Sequence, residues 1–281
     1  MSADPSTELV DRTRDYYNSD DADRFYYEIW GGEDIHIGLY ESPEEPIADA
    51  SHRTVATMAT MLPPLEASTR VLDLGSGYGG SARHLAKTTG CQVTCLNLSE
   101  TQNARNRELT SAAGLVPLIT VIDGSFEDLP FPDASFDVVW SQDAFLHSSR
   151  RQRIFEEIDR VLVPGGHLIF TDPMQAERVP PRDLRPVLDR LHLDSLGSIA
   201  AYRESADGLG WETLAIRPLP DQLITHYRSV HRELTQRRPA LEAKISEDYM
   251  ARMLSGLMRW VEAGRARRLD WGILHFRKPL A

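Results

Sequence analysis

The stretch Val71-Leu72-Asp73-Leu74-Gly75-Ser76-Gly77-Tyr78-Gly79-Gly80 decides the fold class of this chain. An apolar strand over 70–74 carries an acidic residue, Asp73, and runs into a glycine-rich turn. A helix is expected from Ser81 to Thr89, closed by Gly90 where a left-handed residue suits a helix end. Glycines at such a turn let the backbone approach a ligand that any side chain would hold away. A carboxylate just before them accepts hydrogen bonds from ammonium or hydroxyl groups.

Two ligands fit that description. Gly75, Gly77 and Gly80 satisfy G-x-G-x-x-G, a spacing that also serves dinucleotide enzymes. A pyrophosphate, however, is anionic and is repelled by the Asp73 carboxylate. A nicotinamide enzyme also wants Asp or Glu about 20 residues further on, where this chain has Asn97. The ammonium-bearing end of S-adenosylmethionine meets no such conflict. A bare turn without a ligand needs fewer glycines than are present. The methyl donor therefore fits best, the dinucleotide second.

From Arg70 to about Asp172, strands alternate with helices, which implies a parallel sheet with crossover helices. Strands are expected at 70–74, 91–97, 118–122, 136–141 and 167–172, and helices at 81–89, 100–113 and 150–162, the last stopped by Pro164-Gly165-Gly166. Two later strands, near 211–217 and 270–277, complete a Rossmann-like, mostly parallel α/β sheet of seven strands. The chain divides into an N-terminal helical arm or flap over 1–62 and a cofactor-binding core over 63–174. A cap segment follows over 175–208, and 209–281 holds the last two strands. A long helical insertion at about 221–268 separates those two strands, and connections of such length are often functional. The helical pieces are expected to cap the carboxyl end of the sheet, where doubly wound folds bind ligands.

The 281 residues carry a net charge of −11, with a pI near 5.3. That balance argues against a sequence-independent nucleic-acid binder, which needs a basic face. No apolar run approaches the roughly 20 residues that span a bilayer, and the polar start MSADPSTELVD lacks a secretory pattern. A cytoplasmic location is the expectation. Cys91 and Cys95, about 13 Å apart at strand rise, are too distant for a disulfide and are read as core. The nine histidines show no metal spacing, so no metal is expected.

Polar residues cluster where the strands end. Asn97-Leu98 follows the second strand, and an Asn amide can bond ribose hydroxyls. Gln102 either contacts the ligand or only completes the cap begun by Ser99. Ser125 and Phe126 follow the third strand, where they can hold an adenine; Phe126 is equally readable as core. The fourth strand leads into Gln142, Asp143 and His147, with Asp143 and His147 the candidates to take a proton. In the arm, Tyr26 and Trp30 precede Gly31-Gly32 and His36-Ile37. Those aromatics either seat a helix on the core or form a flap whose rings attract a sulfonium or substituted ammonium, worth roughly 0.5–2 kcal/mol per contact.

These motifs together resemble class I methyltransferases, and within them the sarcosine/dimethylglycine N-methyltransferases. The narrow ones are IWGGEDIHIGLY (29–40), WSQDAFLHS (140–148), TDPM (171–174), PVLDRLHLDSLGS (186–198) and WGILHFRK (271–278); VLDLGSGYGGSARHLA (71–86) is shared far more widely. Many class I enzymes carry an acid where this chain has Asn97, which agrees with the narrower group. The resemblance implies that Asp73, Gly75, Ser76, Gly77, Asn97 and Leu98 hold S-adenosylmethionine, with Ser125 and Phe126 at its adenine. His36-Ile37 would close on its methionine part, with Tyr26, Trp30, Gln102 and Gln142 beside it. It implies methylation of sarcosine or N,N-dimethylglycine to glycine betaine, leaving S-adenosylhomocysteine. Tyr26, Trp30, Tyr202 and Tyr227 would surround the nitrogen, with Asp143 and Met174 near the substrate. Arg190, Gln142 and Arg203 are candidates for its carboxylate. The alternatives are another small acceptor (a sugar hydroxyl, an isoprenoid carbon or phosphoethanolamine), a donor-binding sensor and a dinucleotide oxidoreductase. The chain is expected to act on small molecules as a monomer or homodimer.

Overall fold

Strands buried on both faces read as continuous apolar runs, and Val71–Leu74 is buried at every position. In the computed structural model, which describes residues 5–191, 193 and 195–280 (side chains from Leu9 on, without those of 181, 190 and 191), that run is an inner strand of a seven-stranded sheet. The strands are β1 (Arg70–Leu74), β2 (Gln92–Asn97), β3 (Ile119–Asp123), β4 (Phe136–Gln142), β5 (Leu162–Gln175), β6 (Glu212–Pro218) and β7 (Leu269–Arg277). Their order is β3-β2-β1-β4-β5-β7-β6. The pairs from β3 to β5 are parallel, and β7 lies antiparallel to both β5 and β6.

The helices are α1 (Pro5–Asn18), α2 (Asp20–Phe25), α3 (Ile47–Met61), α4 (Gly80–Thr89), α5 (Glu100–Ala112), α6 (Arg151–Val161), α7 (Pro181–Leu191), α8 (Ile199–Gly208), α9 (Pro220–Leu241) and α10 (Glu247–Arg265). A single π-helical turn, Tyr26–Trp30, continues α2. Serines start four of these helices: Ser19, Ser99, Ser198 and Ser246 each accept a hydrogen bond from a first-turn N–H. Such caps contribute about 1 kcal/mol each. Gly90, at φ 77, closes α4.

Most boundaries fall within a residue of expectation, but β5 runs longer at both ends, over Leu162–Gln175 rather than 167–172. Pro164-Gly165-Gly166 does not stop a helix; α6 already ends at Val161, and β5 begins at Leu162. Leu162 pairs with Phe136, and a shift in register between Phe136 and Val138 absorbs the irregular stretch, where Gly165 adopts φ 78.

Three apolar clusters hold the layers together. Val55 and Met58 of α3 and Leu85 of α4 pack with Trp140 on one sheet face. Ile154, Phe155 and Ile158 of α6 and Ala206 of α8 pack with Phe170 on the other. The third cluster joins the arm to the later helices: Phe25 and Trp30 with Leu188 of α7, Leu234 of α9 and Trp260 of α10. Aromatics and long aliphatics in four separate chain segments thus bury one another, and the arm becomes a wall. No helix among the described residues is long and apolar enough to cross a membrane.

Candidate active site

The ends of β1, β2 and β4 and the loop after β3 open into a cleft whose space, open solvent included, is about 930 Å³. Asp73, Gly75, Ser76, Gly77, Asn97, Leu98, Gln102, Ser125, Phe126, Gln142, Asp143 and His147 all line it. The turn after β1 explains the space. Gly75 sits at φ 73 and Gly77 at φ 51, conformations that side-chain-bearing residues avoid. A Cβ at Gly75 would lie 2.4 Å from the Ala144 Cβ, and one at Gly77 would lie 3.0 Å from Ile35 of the arm.

Asn97 donates from Nδ2 to Gln102 Oε1 at 3.0 Å, while the Gln102 backbone N–H meets Ser99 Oγ at 3.2 Å. Gln102 therefore serves the cap and the cavity wall together. Gln142 Oε1 accepts from the Ser81 hydroxyl at 2.5 Å and the Trp140 indole at 3.0 Å. Phe126 lines the cavity and also rests edge-on against Phe145, 5.9 Å between centroids. Among the residues that line the cavity, six buried polar atoms lack a hydrogen-bond partner within the described residues: Asp73 Oδ2, Ser76 Oγ, Gln102 Nε2 and Gln142 Nε2 around the strand ends, and Asp34 Oδ1 and His36 Nε2 in the arm. Burial raises the Asp73 carboxyl to about 7, against the pull of His36. Unsatisfied polar groups in a buried wall are costly. An ammonium group suits the Asp73 oxygen and hydroxyls can accept from the Gln102 and Gln142 amides, so S-adenosylmethionine fits the residues present.

A smaller cavity of about 390 Å³ adjoins the first, and Tyr17, Ile35, His36, Asp143 and His147 line both. Tyr26, Trp30, Ile37, Leu146, Pro173 and Tyr227 complete its wall. Asp143 ends β4 in a left-handed turn, φ 52. Its Oδ1 accepts from the Thr171 hydroxyl at 2.9 Å and the Trp271 indole at 2.8 Å, and its Oδ2 from the Ile37 N–H at 2.6 Å. Burial pushes this carboxyl above the ordinary range although His36 and the three donors oppose it.

The flap carries its own charges. Asp34 Oδ2 lies 3.3 Å from His52 Nδ1, and Asp34 Oδ1 lies 3.8 Å from His36 Nε2, a charge pair rather than a hydrogen bond. Burial would raise the Asp34 carboxyl, yet the two imidazoles prevail and hold it well below the carboxylate range. Burial likewise opposes charge on His36, but Asp34 and Asp143 raise its pKa. The arm closes the site from a second direction, where the Tyr17 hydroxyl and His147 Nε2 are hydrogen-bonded at 2.9 Å.

The residues expected to form the site are therefore largely brought together, but they divide. Tyr26, Trp30, Ile37 and Tyr227 face the smaller cavity, whereas Gln142 faces the larger. Tyr202 and Met174 are corrections. Met174 on β5 and Tyr202 on α8 are both buried in the core and line neither cavity; Tyr202 stacks on Phe155 at 5.9 Å and donates to Asp172 Oδ2 at 2.6 Å. An aromatic and a thioether are as useful in a core as beside a substrate, and sequence does not separate the two uses. Arg203 is exposed on α8, and the Arg190 side chain lies outside the described residues. Tyr17, Ile35, Thr13 and Val10 belong to the walls and were not singled out from sequence. Among the described residues no group of three or more His, Cys, Asp or Glu is placed to hold a metal.

The hydrogen bond from Tyr202 to Asp172 contributes to stability rather than to acceptor binding. Tyr202→Phe removes a donor from the buried Asp172 carboxyl, which keeps the Leu146 N–H at 3.0 Å. Thermal unfolding should show a loss of about 1–3 kcal/mol, with the KM of the acceptor unchanged. A raised KM without loss of stability would put Tyr202 back in the site.

A seven-stranded sheet whose last strand is antiparallel, with a ligand cavity at a glycine-rich turn after β1, defines a class I S-adenosylmethionine-dependent methyltransferase. Residues 72–170 match the methyltransferase domain model. The chain is 51% identical to the sarcosine/dimethylglycine N-methyltransferase of Aphanothece halophytica, over 96% of this chain and 98% of that one. It is 54% identical, over 98% of its own length, to the glycine/sarcosine/dimethylglycine N-methyltransferase of Actinopolyspora halophila, of which it spans only about half (48%). Among solved structures, a proposed sarcosine dimethylglycine methyltransferase from Galdieria sulphuraria superposes with a TM-score of 0.87 at 44% identity, covering 92% of this chain and 98% of that one. The chain belongs to the sarcosine/dimethylglycine N-methyltransferase family.

Proposed function

We propose that this enzyme transfers the methyl group of S-adenosylmethionine to the amine of sarcosine and of N,N-dimethylglycine, yielding glycine betaine. The observation that carries the reading is the pairing of cavities: a large cleft suited to the donor opens into a small one whose wall combines the Asp143 carboxylate with the rings of Tyr26, Trp30 and Tyr227. The names of the relatives support the same substrates.

The bound donor supplies an already activated methyl group. The protein's task is then to hold the amine within about 3–3.5 Å of that methyl, aligned for displacement, and to exclude water. Asp73, Asn97 and Gln102 offer the polar partners that orient the donor, and the glycines admit it. Asp143 presents negative charge to an amine that becomes cationic as it is methylated, inside a site where electrostatics are weakly screened. Its carboxylate stands ready to receive a proton from an incoming ammonium, with His147 as a second acceptor on the same wall. The tyrosine rings favour a nitrogen that ends fully quaternary. On this reading the enzyme is cytoplasmic and acts on small metabolites without a metal.

Initial rates with labelled donor against glycine, sarcosine, N,N-dimethylglycine and phosphoethanolamine test the proposal. Label should enter the sarcosine and dimethylglycine reactions far faster than the phosphoethanolamine one. Preferred transfer to phosphoethanolamine would contradict the reading.

A further inference from the structure

The acceptors proposed above all carry a carboxylate, yet neither cavity is lined by Arg or Lys among the described residues. A carboxylate taken out of water must still be met by hydrogen-bond donors. Two residues that line the smaller cavity each carry a buried side-chain nitrogen without a hydrogen-bond partner among the described residues: His36 Nε2 and Trp30 Nε1. His36 is already paired in charge with Asp34, at 3.8 Å. Trp30 is only 5% exposed, and its indole N–H is a permanent donor that no pH removes. The unpartnered indole N–H of Trp260 does not help, because Trp260 reaches neither cavity.

We infer that Trp30 recognises the acceptor's carboxylate through its indole N–H, leaving Tyr26 and Tyr227 to face the nitrogen. The inference rests on the acceptor reading above and deepens it. A residue on a π-helical turn has its side chain displaced from ordinary helical spacing, and Trp30 closes such a turn. Its ring is wedged among Phe25, Tyr26, His226 and Tyr227, with centroids 5.1–5.9 Å away. The wedge is itself braced by the flap. Gly38 N–H donates to His226 Nδ1 at 3.2 Å, which fixes the imidazole proton on Nε2, and the Tyr40 hydroxyl lies 3.0 Å from the same nitrogen. His226 is a positioning residue: fully buried and neutral, it transmits the place of Gly38 to the indole. On the same cavity wall Asp143 carries the negative charge suited to the amine. A short amino acid thus finds a partner for each end, and the carboxylate's partner is a neutral group rather than a cation.

The test is Trp30→Phe, which keeps an aromatic ring but deletes the N–H together with part of the indole's bulk. Unchanged affinity for S-adenosylhomocysteine shows that the variant is folded. Loss of one donor to a carboxylate should lower kcat/KM for dimethylglycine by about 10- to 100-fold, while transfer to N,N-dimethylethanolamine, which lacks the carboxylate and meets only the change in ring size, falls by a much smaller factor. A direct readout uses wild-type enzyme with ¹⁵N-labelled tryptophan in complex with S-adenosylhomocysteine. The indole resonance that is missing in Trp30→Phe should move downfield when dimethylglycine saturates the site. It should stay in place with dimethylethanolamine. A stationary resonance under saturating dimethylglycine overturns the inference while leaving the activity intact. So does an Arg190→Gln variant that loses the preference for the carboxylate when Trp30→Phe retains it. A wild-type enzyme that neither binds nor methylates dimethylglycine overturns the acceptor reading and this inference with it.

Discussion

Asp143→Asn should lower methyl transfer to dimethylglycine by about 100- to 1,000-fold, the usual cost of losing an electrostatic or proton-accepting group at a reacting centre. Three donors converge on this carboxylate, from Ile37, Thr171 and Trp271. An amide offers one accepting oxygen and an NH2, so at least one of those donors would confront another donor. Two losses follow. The negative charge beside the nitrogen disappears, and the flap loosens at the Ile37 N–H, where it is tied to the end of β4. Steady-state kinetics should show the fall mainly in kcat, because the polar groups that line the donor cleft at Asp73, Asn97 and Gln102 are untouched. Asp143→Asn activity within a few-fold of wild type would remove Asp143 from the reaction.

Gly75→Ala is the second large effect. The φ of 73 disfavours any Cβ, at roughly 1–2 kcal/mol, and the added carbon would stand 2.4 Å from the Ala144 Cβ. Ala144 follows Asp143 directly, so relief of the clash moves the loop that carries the carboxylate. The variant should lose stability by about 2–5 kcal/mol, combining left-handed strain with overpacking. Its affinity for S-adenosylhomocysteine should fall at least tenfold in calorimetry. Wild-type affinity with an unchanged melting temperature would mean that the turn tolerates a side chain and that its glycine serves no ligand.

The two substitutions touch the parts of the site that were legible in sequence. Strands and helices from β1 to β4 were readable because Gly90, Ser99 and Gly114 punctuate them and because buried parallel strands leave unbroken apolar runs. The wall of the larger cavity was readable for a related reason: Asp73, Gly75, Gly77, Asn97, Ser125 and Gln142 each lie within three residues of the end of a strand, where doubly wound folds bind ligands. Pro164-Gly165 misled because a proline and a glycine punctuate an irregular strand start as readily as a helix end.

The acceptor side was only half legible. Tyr17 reaches His147 across 130 residues of sequence, and nothing local in α1 announces that contact. Thr171 and Trp271 hold Asp143 only because β4, β5 and β7 lie side by side in the sheet. Tyr202 failed as a substrate contact because its hydroxyl is spent on Asp172, a partner that sequence does not reveal. Trp30 stood out as an aromatic, but that its N–H lacks a hydrogen-bond partner among the described residues is visible only in the packed structure.

The central claim is that one methyl group passes from S-adenosylmethionine to dimethylglycine in this site. Its most direct test supplies donor with a trideuterated methyl group together with dimethylglycine and identifies the products by mass spectrometry. The account predicts betaine bearing a single CD3 group, formed in equal amount with S-adenosylhomocysteine. S-adenosylhomocysteine binding without any labelled betaine, under conditions where the donor is saturating, would contradict it.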